Sequence, residues 1–311
     1  MSDDAVDTLA LALGGLDPQE VLGAQVEKVL FSTGNLSRVV GVRTVEGDEV
    51  VVKSRPDSSR LEGVLGVQRA LHGAGQPVPE PLGTVHRQNG RAVSVERLVL
   101  GGEHRGPTAG AASDFAAVFH DLVRAAPGAA QHPSLRHDLP AWVDWGDDAS
   151  RLWPQRDSPG GEIRSPGPAD VDDAGRDAAE VLRTLDREPV LVHADFEDQN
   201  IRWHGTRIHV VHDWDSLAPL PECAGVGAVA AIWPAGVVAW CATIGQAADF
   251  IAAYEHHRGA PFDAVETRAA WAAALWHRAF NARKDAADGG GTQLDLFRRD
   301  VAALRARAGL G

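Results

Sequence analysis

The chain has 311 residues and a formal net charge of -13, from 43 acidic side chains against 30 lysines and arginines. That balance gives no support to a grip on a nucleic-acid backbone, and two cysteines are too few for a disulfide framework or a thiolate zinc site. The stretch from Met1 to Asp7 is acidic where a signal peptide is basic, and no uninterrupted apolar run approaches the roughly 20 residues of a membrane helix. The expectation is a cytoplasmic protein with no membrane and no nucleic-acid partner.

Leu9, Leu11, Leu13 and Leu16 suggest an amphipathic helix at the amino terminus. Valine-rich alternation then predicts strands over 25–31, 38–45 and 49–54, separated by Ser32-Thr33-Gly34-Asn35 and Glu46-Gly47-Asp48. Ser58 or Ser59 caps a predicted helix running to about Leu71, with Leu61, Val64 and Leu65 on one face. Two further strands, 82–86 and 91–98, meet at Asn89-Gly90, a strong hairpin signal. From Thr108 onward the pattern turns helical, with helices expected over 111–125, 140–152, 170–186, 221–233, 237–256, 263–287 and 292–308. A short β insertion at 190–192, 200–203 and 208–212 interrupts them. Pro154–Pro168 reads as a long surface loop. The division expected is a β lobe with its leading helix and hinge over 1–105, and a helical lobe over 106–311 that carries most of the acidic excess.

The chemistry concentrates in Val190-Leu191-Val192-His193-Ala194-Asp195-Phe196-Glu197-Asp198-Gln199-Asn200 and in His212-Asp213-Trp214-Asp215. Apolar strand, polar loop, apolar strand and acidic turn bring several carboxylates around one point. Phosphoryl transfer needs a carboxylate to orient the acceptor hydroxyl and oxygen ligands to hold magnesium on the phosphates. Asp195 fits the first role, Asn200 and Asp213 the second, with His193 bracing the loop. In the β lobe, Lys53 follows three valines in a chain where only Lys28, Lys53 and Lys284 are lysines. A compact ammonium suits phosphate, and Glu62 on the next helix is the candidate to hold it in place. Ser32–Ser37 sits where a loop over the phosphates belongs, although a hairpin turn explains it as well.

Together these residues resemble the aminoglycoside phosphotransferase-like family of small-molecule kinases, over about residues 24–287. The specific part is His193-Ala194-Asp195 with Asn200 and Asp213; Lys53 and Val95-Glu96-Arg97-Leu98, similar to the family's hinge, are looser. The resemblance implies an α+β, two-lobed protein-kinase-like fold with a small antiparallel β lobe and a larger helical lobe. It also implies Asp195 as catalytic base, Mg²⁺ on Asn200 and Asp213, Lys53 on the phosphates, and an adenine cradle along Arg97, Leu98 and Val99. ATP, with GTP as an alternative, would bind between the lobes and give its γ-phosphate to a hydroxyl of a small molecule. The chain departs from the family in Ala194, where glycine is usual, and in Leu217-Ala218-Pro219-Leu220-Pro221-Glu222, where many members have Gly-Asp-Pro.

The acidic helical lobe, with Glu197 and Asp198 beside the base, suits a cationic acceptor such as an aminoglycoside or another amine-bearing metabolite. The rival readings are a metal-dependent hydrolase built on the His193, Asp195, His209, His212 and Asp213 cluster, and a catalytically silent kinase-like nucleotide-binding module. His209 and His212 lie an odd spacing apart on an expected strand, which argues against a shared metal.

Overall fold

A computed structural model describes residues 9–10, 13–34, 37–146, 152–153 and 167–311. They divide into two units: the chain up to Gly101 joined by His132–Asp138, and Gly102–Gln131 with Leu139–Gly311.

The first unit is built on a five-stranded antiparallel sheet. Asp17 caps a one-turn helix, α1 (Pro18–Leu22), which Gly23 ends in the left-handed region at φ 67°. The strands are β1 (Val26–Gly34), β2 (Arg38–Thr44), β3 (Glu49–Pro56), β4 (Pro81–Gln88) and β5 (Arg91–Arg97), in the order β1-β2-β3-β5-β4. Asn89 and Gly90 both have positive φ, 52° and 71°, as a two-residue hairpin turn with the twist of its strands requires. The alternation of β3 divides its side chains between two faces. Val50 and Val52 join Leu9, Leu13, Val40, Val42, Val93 and Val95 in one core, whereas Val51 and Lys53 belong to the other face. Leu11, Asn35 and Leu36 lie outside the described residues.

The helix α2 (Leu61–Gly73) buries Leu61, Val64, Leu65, Gln68 and Leu71. Its first turn is seated on the returning segment 132–138: Arg60 Nη1 donates to the carbonyls of Leu135 and His137 at 2.8 and 3.0 Å. Gly63 lies so close to Ser134 and Leu135 that a Cβ would stand 2.7 Å from Ser134 Oγ.

The second unit is mainly helical: α3 (Ala111–Ala125), α4 (Ala169–Arg183), α5 (Glu222–Ala230), α6 (Ile244–Arg258), α7 (Ala264–Ala287) and α8 (Thr292–Arg307). The long α7 is the hub, packed against α4, α5 and α8. Gly227 of α5 is where that packing is tightest, because a Cβ there would stand 1.8 Å from the Ala270 carbonyl oxygen. Two small β pairs are set among these helices. The strand β6 (Pro189–His193) pairs with β9 (Leu217–Pro221), and β7 (Ile201–His204) pairs with β8 (Arg207–Val211).

Three expectations change. The strand β9 went unpredicted because Pro219 and Pro221 argue against a ladder. The Ala194 N–H donates to the Ser216 carbonyl, and this phase places both prolines at positions whose amide side faces away from β6. The helix expected over 237–256 begins only at Ile244, where Thr243 and Gln246 form a capping box. Before it, Val237, Val238 and Trp240 are exposed in an irregular segment. The helix expected over 140–152 is a single 3-10 turn, Ala141–Val143, followed by irregular chain to Gly146; residues 147–151 lie outside the described set, as do 154–166 of the expected loop.

Candidate active site

The two small β pairs hold the acidic segments together. From β6 the chain turns through Ala194 and Asp195, where the Glu197 N–H donates to the Asp195 carbonyl and the Asn200 N–H to the Glu197 carbonyl, closing a 3-10 turn over Asp198–Asn200. That tight winding brings Asn200 back onto Asp195: its Nδ2 donates to the Asp195 main-chain oxygen at 2.9 Å and to Oδ2 at 3.0 Å. The second acidic turn is tied to the first by the His212 N–H, which donates to the Asn200 carbonyl at 2.8 Å. His193, buried edge-on against Trp214, bonds the His212 carbonyl through Nε2 at 2.8 Å. Asp213 is left-handed at φ 62°, ψ 52°. A non-glycine residue in that region is strained, and the bonds on either side of it hold the turn that way.

Burial pushes the Asp195 carboxyl up, the nearby Asp213 charge pushes it further, and the result is about 7, even though the Asn200 hydrogen bond and Lys284 both favour its ionised form. Glu197 is raised well above its ordinary value by burial and by Asp195, with Gln199 and Lys284 working the other way. Three crowded carboxylates disfavour one another's ionisation, which is the electrostatic condition a divalent cation relieves. The donors present suit magnesium: Asp213 supplies carboxylate oxygens, and Asn200 spends its amide nitrogen on Asp195, so its Oδ1 is the atom offered to a cation. Among the described residues no group of three or more His, Cys, Asp and Glu side chains is arranged to hold a metal ion. His209 packs against His204 with ring centroids 4.5 Å apart and planes tilted by 51°, while the His212 main chain ties the acidic turn to Asn200 and His193, so the histidines that suggested a hydrolase are engaged separately.

The other expected residues lie on the first unit. Lys53 is buried on β3, and its Nζ pairs with Glu96 Oε1 at 2.9 Å. The expected partner, Glu62, is not there. It sits exposed at the start of α2 and takes Arg87 in a bidentate pair, with Arg87 also reaching Asp57. A carboxylate in the first turn favours the helix dipole and solvent, which is a sufficient reason for its place. In the expected adenine cradle, the Arg97 N–H donates to the Glu80 carbonyl and the Leu98 N–H to the Glu49 carbonyl. Both amides are therefore spent within the sheet, and the Arg97 guanidinium is turned outward onto Glu80 and Asp48.

Asp198 also departs from expectation. Instead of facing an acceptor it is fully buried, accepting from the Arg105 N–H at 2.9 Å, while its own carbonyl bonds His104 Nδ1 at 2.9 Å. Sequence reasoning named Glu96 only within a hinge-like run and Lys284 only as one of three lysines, and gave Gln68 no role. The signals were a charge directly after the valine-rich run Val93–Val95 of β5, an amide on the apolar stripe of α2, and the third of three lysines.

A family model described as the phosphotransferase enzyme family matches residues 29–273. The chain belongs to this family. Among solved structures, this phosphotransferase is similar to amicoumacin kinase hAmiN in complex with AMP-PNP, Ca²⁺ and Ami, at 13% identity and a TM-score of 0.64, over 97% of this chain and 96% of that one. It is similar too to a thermostable mutant of aminoglycoside phosphotransferase APH(4)-Ia in a ternary complex with ADP and hygromycin B, at 16% identity and TM-score 0.59 over 98% of both chains. A choline/ethanolamine kinase family protein from Mesorhizobium loti matches at 15% identity and TM-score 0.56, over 97% of both chains. Among curated proteins none matches the phosphotransferase significantly. Its fold is thus the α+β, protein-kinase-like one, and no helix among the described residues is long and apolar enough to cross a membrane.

Proposed function

We propose that this phosphotransferase is an ATP-dependent kinase that moves the γ-phosphate to a hydroxyl group of a small molecule. The observation that carries the reading is the Asn200 amide clasping Asp195 while Asp213 stands close enough to raise that carboxyl to about 7. In this reading Asp195 aligns the acceptor hydroxyl and takes its proton as the new O–P bond forms, and ADP departs with the electrons of the broken bond. Asn200 and Asp213 hold Mg²⁺, which when bound neutralises charge on the phosphates. Lys53 meets the phosphates, and the nucleobase lies along Arg97–Val99. Since the Arg97 and Leu98 amides are already spent, the base edge is left to Val99 and the carbonyls of that segment.

Support for ATP comes from the AMP-PNP and ADP complexes of the similar structures, and support for an amine-bearing acceptor such as an aminoglycoside comes from hygromycin B in one of them. Glu197 is the residue of this chain suited to such an amine: a buried carboxyl beside the base that gains most from an arriving cation. A cytoplasmic location belongs to the same proposal; the buried, free cysteines Cys223 and Cys241 and the need for cellular ATP support it. The test is a screen of hydroxylated acceptors for ADP release with Mg²⁺ and ATP or GTP. Release that depends on both Mg²⁺ and a small-molecule alcohol supports the reading, and its absence across amine-bearing and neutral acceptors counts against it.

A further inference from the structure

The expectation that a helix glutamate holds Lys53 fails on geometry, and the structure shows what stands in that place. Lys53 and Glu96 lie on neighbouring strands: Lys53 is opposite Ser94 and Glu96 opposite Val51, so the two side chains share a face as a diagonal pair. Lys53 is 7% exposed and Glu96 6%, with Nζ and Oε1 2.9 Å apart. The other carboxylate oxygen, Oε2, accepts from Gln68 Nε2 at 3.0 Å. Gln68 is 3% exposed on the inner face of α2, and its same amide nitrogen donates to the Pro79 carbonyl at 3.0 Å.

We propose that Glu96 is the positioning residue for Lys53 and that Gln68 clamps it, so the phosphate-facing lysine is set from the sheet rather than by a carboxylate on the helix. The proposal rests on the kinase reading above. A buried ion pair is costly to open from either side, because each partner alone would be an uncompensated charge. The Lys53 ammonium is therefore held at one point before nucleotide arrives. An ammonium has three donors and can serve a carboxylate and a phosphate together, so Glu96 can direct Lys53 without being displaced. Gln68 gives the clamp its second fixed end: a neutral amide with both hydrogens committed holds Oε2 without competing for the lysine's charge. The helix α2 thus reaches the Glu96 carboxylate through an uncharged side chain, Gln68, while Glu62 is engaged with Arg87.

The scarcity of lysine gives a direct test. Full-length protein labelled at lysine 13Cε should show three lysine environments by NMR, with that of Lys53 assigned by Lys53→Arg. Glu96→Gln is expected to move the Lys53 resonance and leave Lys28 and Lys284 in place, whereas Glu62→Gln moves none of the three. Turnover, followed as ADP release to the best acceptor or to water, is expected to fall roughly tenfold or more in Glu96→Gln, as misplacement of a reacting contact does. The fall should sit in kcat more than in nucleotide KM, and Glu96→Asp should restore part of it. Lys53→Met/Glu96→Gln, which removes both charges and avoids a lone buried ion, should turn over no more slowly than Lys53→Met alone. The proposal is overturned if the Lys53 resonance ignores Glu96→Gln, if Glu62→Gln moves it, or if the two losses in kcat multiply. Failure of the kinase reading has a different signature: magnesium AMP-PNP then leaves all three wild-type lysine resonances unmoved.

Discussion

The amide nitrogen of Asn200 donates to Asp195 twice, to its main-chain oxygen at 2.9 Å and to its carboxylate at 3.0 Å. In the kinase reading proposed above, the residue that fixes the orientation of the Asp195 carboxylate is the one that would offer an oxygen to Mg²⁺, so aligning the hydroxyl and binding the metal would be one local structure.

Asp195→Asn preserves shape and removes the proton acceptor. The expected outcome is a kcat lower by about 10²–10⁴-fold with nucleotide affinity retained within a few-fold. Steady-state ADP release together with calorimetric nucleotide binding checks it, and near-normal turnover would remove Asp195 from the role of base.

Glu197 and Asp198 should separate although they are neighbours. Asp198 ties the 104–105 segment to the loop, so Asp198→Ala lowers the melting temperature without a specific rise in acceptor KM. Glu197→Gln should raise KM for an amine-bearing acceptor by roughly tenfold, the size of one hydrogen bond to a charged group, with kcat little changed. Because Glu197 is buried, that loss should persist at high salt, unlike one from a solvated charge. Equal acceptor KM for wild type and Glu197→Gln would contradict the assignment.

What could be read from the sequence divides by distance along the chain. Asn89-Gly90 and the His193–Asn200 loop were legible because their decisive bonds are local: two positive φ values in one case, a 3-10 winding with Asn200 returning to Asp195 in the other. The Lys53–Glu96 pair was not, because it depends on the register of β3 against β5, and Glu62 looked equally suited at the level of spacing. Val237, Val238 and Trp240 misled for a related reason. Apolar residues announce burial, yet these three are exposed, and the Thr243 cap decides where the helix starts.

Packing in the helical unit is most sensitive where α5 meets α7. Gly227→Ala would drive a methyl into the Ala270 carbonyl, and the expected cost is about 1–3 kcal/mol or outright loss of soluble protein. Gly245→Ala, in α6 with open space around it, should leave the melting temperature unchanged or slightly higher. Similar melting temperatures for the two variants would refute the contact.

Acid stability should report on Asp300. Burial works against its charge, but hydrogen bonds from Arg299 and Arg278 outweigh it and hold the carboxyl below the usual 3.8. Arg278 is 2% exposed and bonds only Asp300 and the Ala242 carbonyl among its described side-chain hydrogen bonds, so Asp300→Asn leaves an uncompensated buried cation and should cost about 3–5 kcal/mol at neutral pH. On acidification the unfolded chain takes up the proton first. The wild-type advantage is therefore full above about 3.8 and shrinks as pH falls through the lower folded value. Urea denaturation of both proteins across that range measures it; a gap that closes well above pH 3.8 would contradict the pairing.

The most direct measurement of the central claim is the thermal midpoint of the purified protein with ATP or AMP-PNP, in the presence and absence of Mg²⁺. With Asn200 and Asp213 as its few protein ligands, magnesium should bind largely through the nucleotide, so nucleotide should raise the midpoint only with Mg²⁺ or far more strongly with it. Tight stoichiometric zinc in the protein as purified, with no response of the midpoint to nucleotide under either condition, would contradict the kinase account.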